Sequence, residues 1–201
     1  MIALGPPDPR IKGLTAGYLY GRGVALAARG RIDEARGELA ELAALAAALP
    51  ADQDFLTGLV AVAQPIVAAR IAASDGRSDE AVGLLEQAVA AEDRIAYDEP
   101  ADWFFPARHL LGAQLLIAHR AGQAERAYRE DLKRNPANGW ALYGLAEALR
   151  AQGKAGEAAR VSGEFARAWQ HADIPLQGSA FWFAGPDTSS CECQRATSAH
   201  R

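Results

Sequence analysis

The sequence predicts an all-α fold, a right-handed α-solenoid of about four helical hairpins with a C-terminal cap. Half of the 201 residues are hydrophobic but only 7% are aromatic, so alanine and leucine must fill the core. A short turn phrase, followed by an acid–alanine or glutamine–alanine pair, occurs four times, at residues 30–35, 76–81, 119–124 and 153–158. The copies are separated by intervals close to the ~34–47 residues per repeat that helical solenoids use.

Each turn phrase is expected to join two antiparallel helices. A glycine can take the left-handed backbone geometry that ends one helix, and Gly30, Gly76 and Gly153 stand at this point, whereas the third copy has His119. The acids that follow fall in the first turn of the next helix, where the helix dipole favours negative charge. The chain then divides into an extended leader over 1–14, a repeat domain over 15–172, an apolar C-terminal cap over 173–184 and a disordered tail over 185–201.

The first two hairpins differ in regularity. The first is expected over residues 15–49, and Pro50 ends it. The second begins near Asp54, and Pro65 predicts a kink or break inside its first helix. Its second helix is predicted over 79–95. An acidic and aromatic insertion over 96–104 explains the wide interval before the third turn.

One stretch, residues 55–73, is 19 residues long and mostly apolar, so a membrane-spanning helix must be considered. Gln64, Pro65 and Arg70 interrupt it, and it lies inside the repeat pattern. A buried helix of the repeat domain is therefore the favoured interpretation. The first residues lack the basic and apolar regions of a signal peptide, and a cytoplasmic location is expected.

Residues 105–172 are the most regular part of the chain. The third hairpin has a Leu-Gly pair, an alanine, an aromatic residue and a closing proline, at Leu111, Gly112, Ala124, Tyr128 and Pro136. The next copy, 34 residues later, has Leu145, Ala146, Leu149 and Ala158. This pattern resembles the tetratricopeptide repeat (TPR) family over about residues 15–172. Residues 105–172 also resemble the C-terminal part of larger bacterial proteins built from such repeats.

The resemblance implies a concave groove lined by the first helix of each hairpin, which would bind a peptide or protein partner. Carried over hairpin by hairpin, the groove positions are Tyr20, Arg70, His109, Trp140, Tyr143, Glu147 and Arg150. Such a mixed aromatic and charged lining suits an extended or helical peptide. The lysines and asparagines with which one TPR subset grips a C-terminal carboxylate are missing from it. The alternative is that Trp140 and Tyr143 only pack between repeats.

Other chemistry is weakly supported. A net charge of −4 and a pI near 5.6 argue against a nucleic-acid partner. The sequence has no glycine-rich phosphate loop, nucleophile elbow or His-Glu-x-x-His pattern. The carboxylates Asp98, Glu99 and Asp102 lie in a polar loop and are expected to be solvated. His109 and His119 are expected on different faces of one helix, where they cannot easily share a substrate. Because none of these candidates supports catalysis, we do not expect an enzyme.

The tail contains the candidate metal ligands Cys191, Cys193 and His200. A Cys-x-Cys pair cannot close a tetrahedral site alone, so neither a metal nor another cofactor is expected. The sequence therefore predicts a non-enzymatic scaffold for protein–protein interaction. Two alternatives stay open, an accessory repeat region of a larger enzyme and a metal-binding protein that uses the tail. Because the opening helix of the first hairpin has Arg22 as its only charge over 16–26, this hairpin is also a candidate for homo-oligomer contacts.

Overall fold

The computed structural model describes residues 2, 5–50, 54–96, 99 and 101–180. These residues form eight α-helices and no β-strand, so the prediction of an all-α fold is confirmed. The helices are α1 (Lys12–Ala28), α2 (Ile32–Ala47), α3 (Asp54–Ser74), α4 (Ser78–Glu92), α5 (Ala107–Ile117), α6 (Ala121–Arg134), α7 (Gly139–Ala151) and α8 (Ala155–Ala168). Residues 12–14 belong to α1 rather than to the extended leader predicted over 1–14.

The helices pack in successive pairs, α1 with α2, α3 with α4, α5 with α6 and α7 with α8. Each pair also contacts the next pair along the chain. α1 and α2 contact α3, α4 contacts α5, and α5 and α6 contact α7. The segment between α4 and α5 contains the predicted insertion, of which residues 97, 98 and 100 lie outside the described part of the chain.

The four repeated turns have one hydrogen-bond pattern. In each, a backbone N–H donates to the carbonyl five residues earlier, at distances of 2.8–3.0 Å, from Arg31 to Leu26, Arg77 to Ala72, Arg120 to Leu115 and Lys154 to Leu149. This is the bond that closes a Schellman motif. Gly30, Gly76 and Gly153 have φ of 71°, 76° and 72°, and His119 takes the same left-handed region with φ of 56°. The third turn therefore keeps its geometry without glycine, at the steric cost of a Cβ atom.

α3 continues through Pro65 without interruption, so the predicted break does not occur. Its residues Phe55–Ser74 are long and apolar enough to cross a membrane by length and composition alone. Half of that window is buried inside the structure, and Ile66 and Val67 have no exposed surface. α3 contacts α1, α2 and α4, which is the environment expected for a core helix.

Tyr128 of α6 fixes the spacing of two neighbouring helices. Its side chain is fully buried, and its ring lies between Gly112 of α5 and Gly144 of α7. A Cβ atom added at Gly112 would come within 2.6 Å of Tyr128 Cε1, and one added at Gly144 within 2.6 Å of Tyr128 Oη. Glycine is required at both positions because the helix backbones approach the ring directly. The two glycines are not equivalent positions of the repeat, because the turn bonds from Arg120 to Leu115 and from Lys154 to Leu149 keep the 34-residue register that pairs Gly112 with Ala146.

Glu125 of α6 ties the third hairpin to the last turn. Its carboxylate accepts hydrogen bonds from Lys154 Nζ at 2.7 Å, Gln152 Nε2 at 2.8 Å and Arg129 Nε at 2.8 Å. The hydrogen bond from Lys154 is the main cause that lowers the pKa of Glu125 to about 2, and those from Gln152 and Arg129 add to it. The Glu125 carboxylate thus stabilises the fold at every pH at which it is ionised.

We expect acid to remove this contribution. Because the pKa is lowered on folding, the stability that Glu125 provides is present above its ordinary pKa of 4.5 and is lost as the pH falls toward 2. Urea unfolding between pH 5 and pH 2.5 should therefore show a steeper loss of unfolding free energy for the parent than for Glu125→Gln. Asp33→Asn, at a side chain that is 96% exposed, is the control and should follow the parent. Parallel pH profiles for the parent and Glu125→Gln would contradict this role.

Candidate partner-binding surface

The structure places four of the predicted groove residues on one side of α7. Trp140, Tyr143 and Glu147 are partly exposed, and Arg150 is exposed. The opposite side of the helix is filled by buried alanines and leucines, Ala141, Leu142, Leu145, Ala148 and Leu149. Helical periodicity is sufficient to separate the two sets. We call Trp140, Tyr143, Glu147 and Arg150 the α7 surface.

The start of α7 is well defined. The Asn138 side-chain oxygen accepts from the backbone N–H of Trp140 at 2.9 Å and of Ala141 at 3.3 Å. Such an N-cap satisfies N–H groups that have no partner within the helix. This N-cap fixes the backbone of Trp140, the first residue of the α7 surface.

Aromatic rings from two other segments hold the rings of the α7 surface. The Trp140 ring centroid lies 5.7 Å from that of Phe105 and 6.0 Å from that of Trp169, both in edge-to-face geometry. Tyr143 lies 5.6 Å from Phe165, which stacks on Trp169 at 6.0 Å. These contacts fix the orientation of Trp140 and Tyr143 while both stay partly exposed. Phe105, Phe165 and Trp169 were not among the predicted site residues, because they lie outside the first helices of the hairpins.

The charged end of the α7 surface is also held in place. Arg150 forms an ion pair with Glu147, one helical turn earlier, and donates to Ser162 Oγ of α8 at 2.6 Å. The surface therefore combines two fixed rings with an oriented carboxylate and guanidinium. Such a set can bind apolar side chains and a charged group of a peptide, and rings that are already ordered lose little entropy on binding.

Two other predicted groove residues are buried. Tyr20 is 7% exposed, and its ring packs edge-to-face on Trp103 at 5.1 Å. Burial raises the pKa of Tyr20. His109 is only 1% exposed. Their assignment to the groove lining is therefore corrected, because contacts with distant residues place both side chains inside the protein.

His109 forms a buried pair with Asp131 of α6. Nε2 of His109 lies 2.8 Å from a carboxylate oxygen of Asp131, and both side chains are 1% exposed. Asn135 Nδ2 donates to the other carboxylate oxygen at 3.0 Å. Because a carboxylate accepts, Nε2 of the histidine is the donor. A pair this deeply buried cannot meet a substrate, and it joins the start of α5 to the end of α6.

A second polar group lies beside this pair. Glu92 accepts from the backbone N–H of Ala107, at the start of α5, at 2.8 Å, and burial raises the pKa of Glu92. Arg108 donates two hydrogen bonds to Asp93, at 2.7 and 2.6 Å, and Arg134 also donates to Asp93. Helix periodicity could not predict these contacts, since the partners are far apart in the sequence.

Arg70, also predicted in the groove, lines a cleft of about 490 Å³ between α3 and α5. Gln114 and His119 are among the other lining residues. Burial lowers the pKa of Arg70. Arg70 thus lies on α3 of the second hairpin, whereas the α7 surface lies on the last hairpin.

Within the described residues, no group of three or more His, Cys, Asp or Glu side chains could hold a metal ion. Cys191, Cys193 and His200 lie outside these residues, as does Asp98. Searches with family models, against curated proteins and against solved structures found no match to this chain.

Proposed function

We propose that this chain is a TPR-like, right-handed helical solenoid that acts as a non-enzymatic scaffold and binds a peptide or protein partner at the α7 surface. Three features support the solenoid. The chain folds as four helix pairs, the four turns share one hydrogen-bond pattern, and each pair contacts the next. Because a repeat buries its apolar face only against its neighbours, these features belong together.

One observation favours partner binding over a purely structural role for the α7 surface. Trp140 and Tyr143 are fixed by neighbouring rings but stay partly exposed, and an Arg150–Glu147 ion pair follows them on the same side of the helix. Aromatic residues and arginine are the residue types that dominate binding energy at protein interfaces. If Trp140 and Tyr143 only packed between repeats, their partial exposure would contribute nothing to that packing.

Peptide selection tests the proposal without knowledge of the natural partner. A displayed library of random peptides is panned against the immobilised full chain, and the enriched peptides are measured by fluorescence anisotropy. We expect saturable binding that weakens roughly thirtyfold in Trp140→Ala, which corresponds to the ~2 kcal/mol of an interface hot spot. Phe55→Ala is the matched control, because Phe55 is an exposed aromatic residue on α3. Enriched peptides that bind the parent and Trp140→Ala equally would contradict the proposal.

A further inference from the structure

The chain after α8 returns to the α7 surface. Trp169, next to the end of α8, donates from its indole nitrogen to the Ile174 carbonyl at 2.8 Å. Further on, Leu176, Ser179 and Ala180 are 9%, 4% and 1% exposed, although residues 173–180 form no helix or strand. We call residues 173–180 the return segment. An irregular segment with three buried residues must pack against other parts of the protein.

Tyr128 shows where that surface is. The Ser179 hydroxyl is hydrogen-bonded to the Tyr128 hydroxyl, and both residues are buried. The tip of the Tyr128 ring lies between Gly112 of α5 and Gly144 of α7. Tyr128 therefore extends from α6 into the gap between α5 and α7, and Ser179 meets it there. The return segment has crossed from α8 to these two helices.

This position adjoins the α7 surface. Gly144 is four residues from Trp140 and three from Glu147, so the three share one face of the helix. Trp140 in turn contacts Trp169, whose indole holds Ile174. Glu147 and Tyr143 also lie near enough to the Tyr128 hydroxyl to act on its pKa, which burial raises. One end of the return segment is thus bonded to Trp169, which contacts α7, and the other end lies beside Gly144 of α7.

We propose that the return segment is an intramolecular ligand of the α7 surface, and that the partner of this surface is an extended peptide that resembles it. Such a peptide has an apolar residue three positions before a small hydroxyl residue, which is followed by another small residue. The inference rests on the proposed function and adds the class of partner and its regulation. The partner binds when the return segment is displaced, so the segment is autoinhibitory.

The residues around Leu176, Ser179 and Ala180 determine which peptides could replace the return segment. Ser179 supplies the hydroxyl that satisfies the buried Tyr128 hydroxyl, and an apolar residue at this position would leave it unsatisfied. Ala180 is 1% exposed and belongs to the apolar core, so a long or charged side chain has no space there. Leu176 supplies the apolar contact. Gln177 is exposed, so its position in a partner is free to vary.

The test uses the full chain with the return segment released. The double variant Ser179→Arg, Ala180→Arg places two charged side chains in the buried seat, and Gln177→Arg is the matched control. The probe is a labelled synthetic peptide with the sequence of residues 173–180. We expect it to bind the release variant at least about tenfold more tightly than the parent or the control, because an attached segment competes at a millimolar effective concentration. Equal binding to a folded release variant and to the parent would overturn the inference.

A second measurement does not depend on the stability of the release variant. Ser179→Cys and Gln177→Cys are treated with a thiol reagent, and peptide mapping separates their labels from those of Cys191 and Cys193. We expect labelling at position 179 to be at least about tenfold slower than at 177, and to accelerate when a library-selected peptide is added. Equal rates at the two positions would show that the segment is not seated and would overturn the inference.

The two proposals fail in different ways. If library peptides bind through Trp140 but their addition leaves the labelling rate at position 179 unchanged, the α7 surface binds partners and the autoinhibition is wrong. If the 173–180 peptide binds the release variant while no library peptide binds the parent or the release variant, the return segment is a ligand and the scaffold function is wrong.

Discussion

Replacing Gly144 by valine is expected to lower the free energy of unfolding by about 3 kcal/mol or more. The new Cβ would overlap the Tyr128 ring, which is fully buried between α5 and α7 and cannot move into solvent. Overpacking of a core usually costs about 1–3 kcal/mol, and a branched side chain against an enclosed ring belongs at the upper end. Chemical denaturation followed by far-UV circular dichroism measures the loss.

Two further variants sharpen this prediction. Gly37→Val is the control, since Gly37 is exposed in α2 and a Cβ there meets no atom within 4 Å, so its stability should stay within about 0.5 kcal/mol of the parent. Tyr128→Ala alone should cost about 3–5 kcal/mol. Combined with Gly144→Val it should cost at least about 1 kcal/mol less than the sum, because removing the ring relieves the overlap. Strict additivity would show that the two residues do not meet.

Replacing Asp131 by leucine is expected to cost about 3 kcal/mol. The substitution removes the acceptor of the His109 Nε2–H and of the Asn135 amide, and His109 stays buried without a partner. A buried polar group left unsatisfied costs about 1–3 kcal/mol, and more where charge is involved. Urea unfolding at neutral pH is the measurement.

The double variant distinguishes loss of a partner from loss of packing. If the pair itself matters, Asp131→Leu combined with His109→Leu should be more stable than Asp131→Leu alone, because both polar groups are then gone. Asp33→Leu, at a side chain that is 96% exposed, should change stability by less than about 0.5 kcal/mol. A double variant less stable than Asp131→Leu would contradict a partner-dependent role.

Local signals predicted the helices and turns well. Glycines end α1, α3 and α7, and acids open α2, α4 and α8. Both act on residues next to them in the chain, so a short stretch of sequence is enough to predict these helix ends. His119 takes the left-handed conformation without being glycine, because the hydrogen bonds of its turn hold it there. Of the kink or break predicted at Pro65, the break does not occur, and α3, which packs against α1, α2 and α4, is continuous.

From the sequence, the candidate surface could be predicted only for residues that lie on the same helix. Periodicity alone places Trp140, Tyr143, Glu147 and Arg150 on one side of α7. Whether Tyr20 or His109 is exposed depends on Trp103 and Asp131, which are distant in the sequence. The contact between Ser179 and Tyr128 spans 51 residues, and no local pattern indicates it.

The central claim is that the α7 surface binds a partner rather than only packing. The most direct measurement titrates a library-selected peptide into the parent, Trp140→Ala and Leu145→Ala, with thermal melting of the same samples. We predict that Trp140→Ala loses roughly thirtyfold in affinity and little melting temperature. Leu145→Ala, which removes a buried side chain, should lose melting temperature but keep its affinity per folded molecule. If Trp140→Ala lowers the melting temperature as much as Leu145→Ala and leaves the affinity unchanged, Trp140 is a packing residue and the claim is wrong.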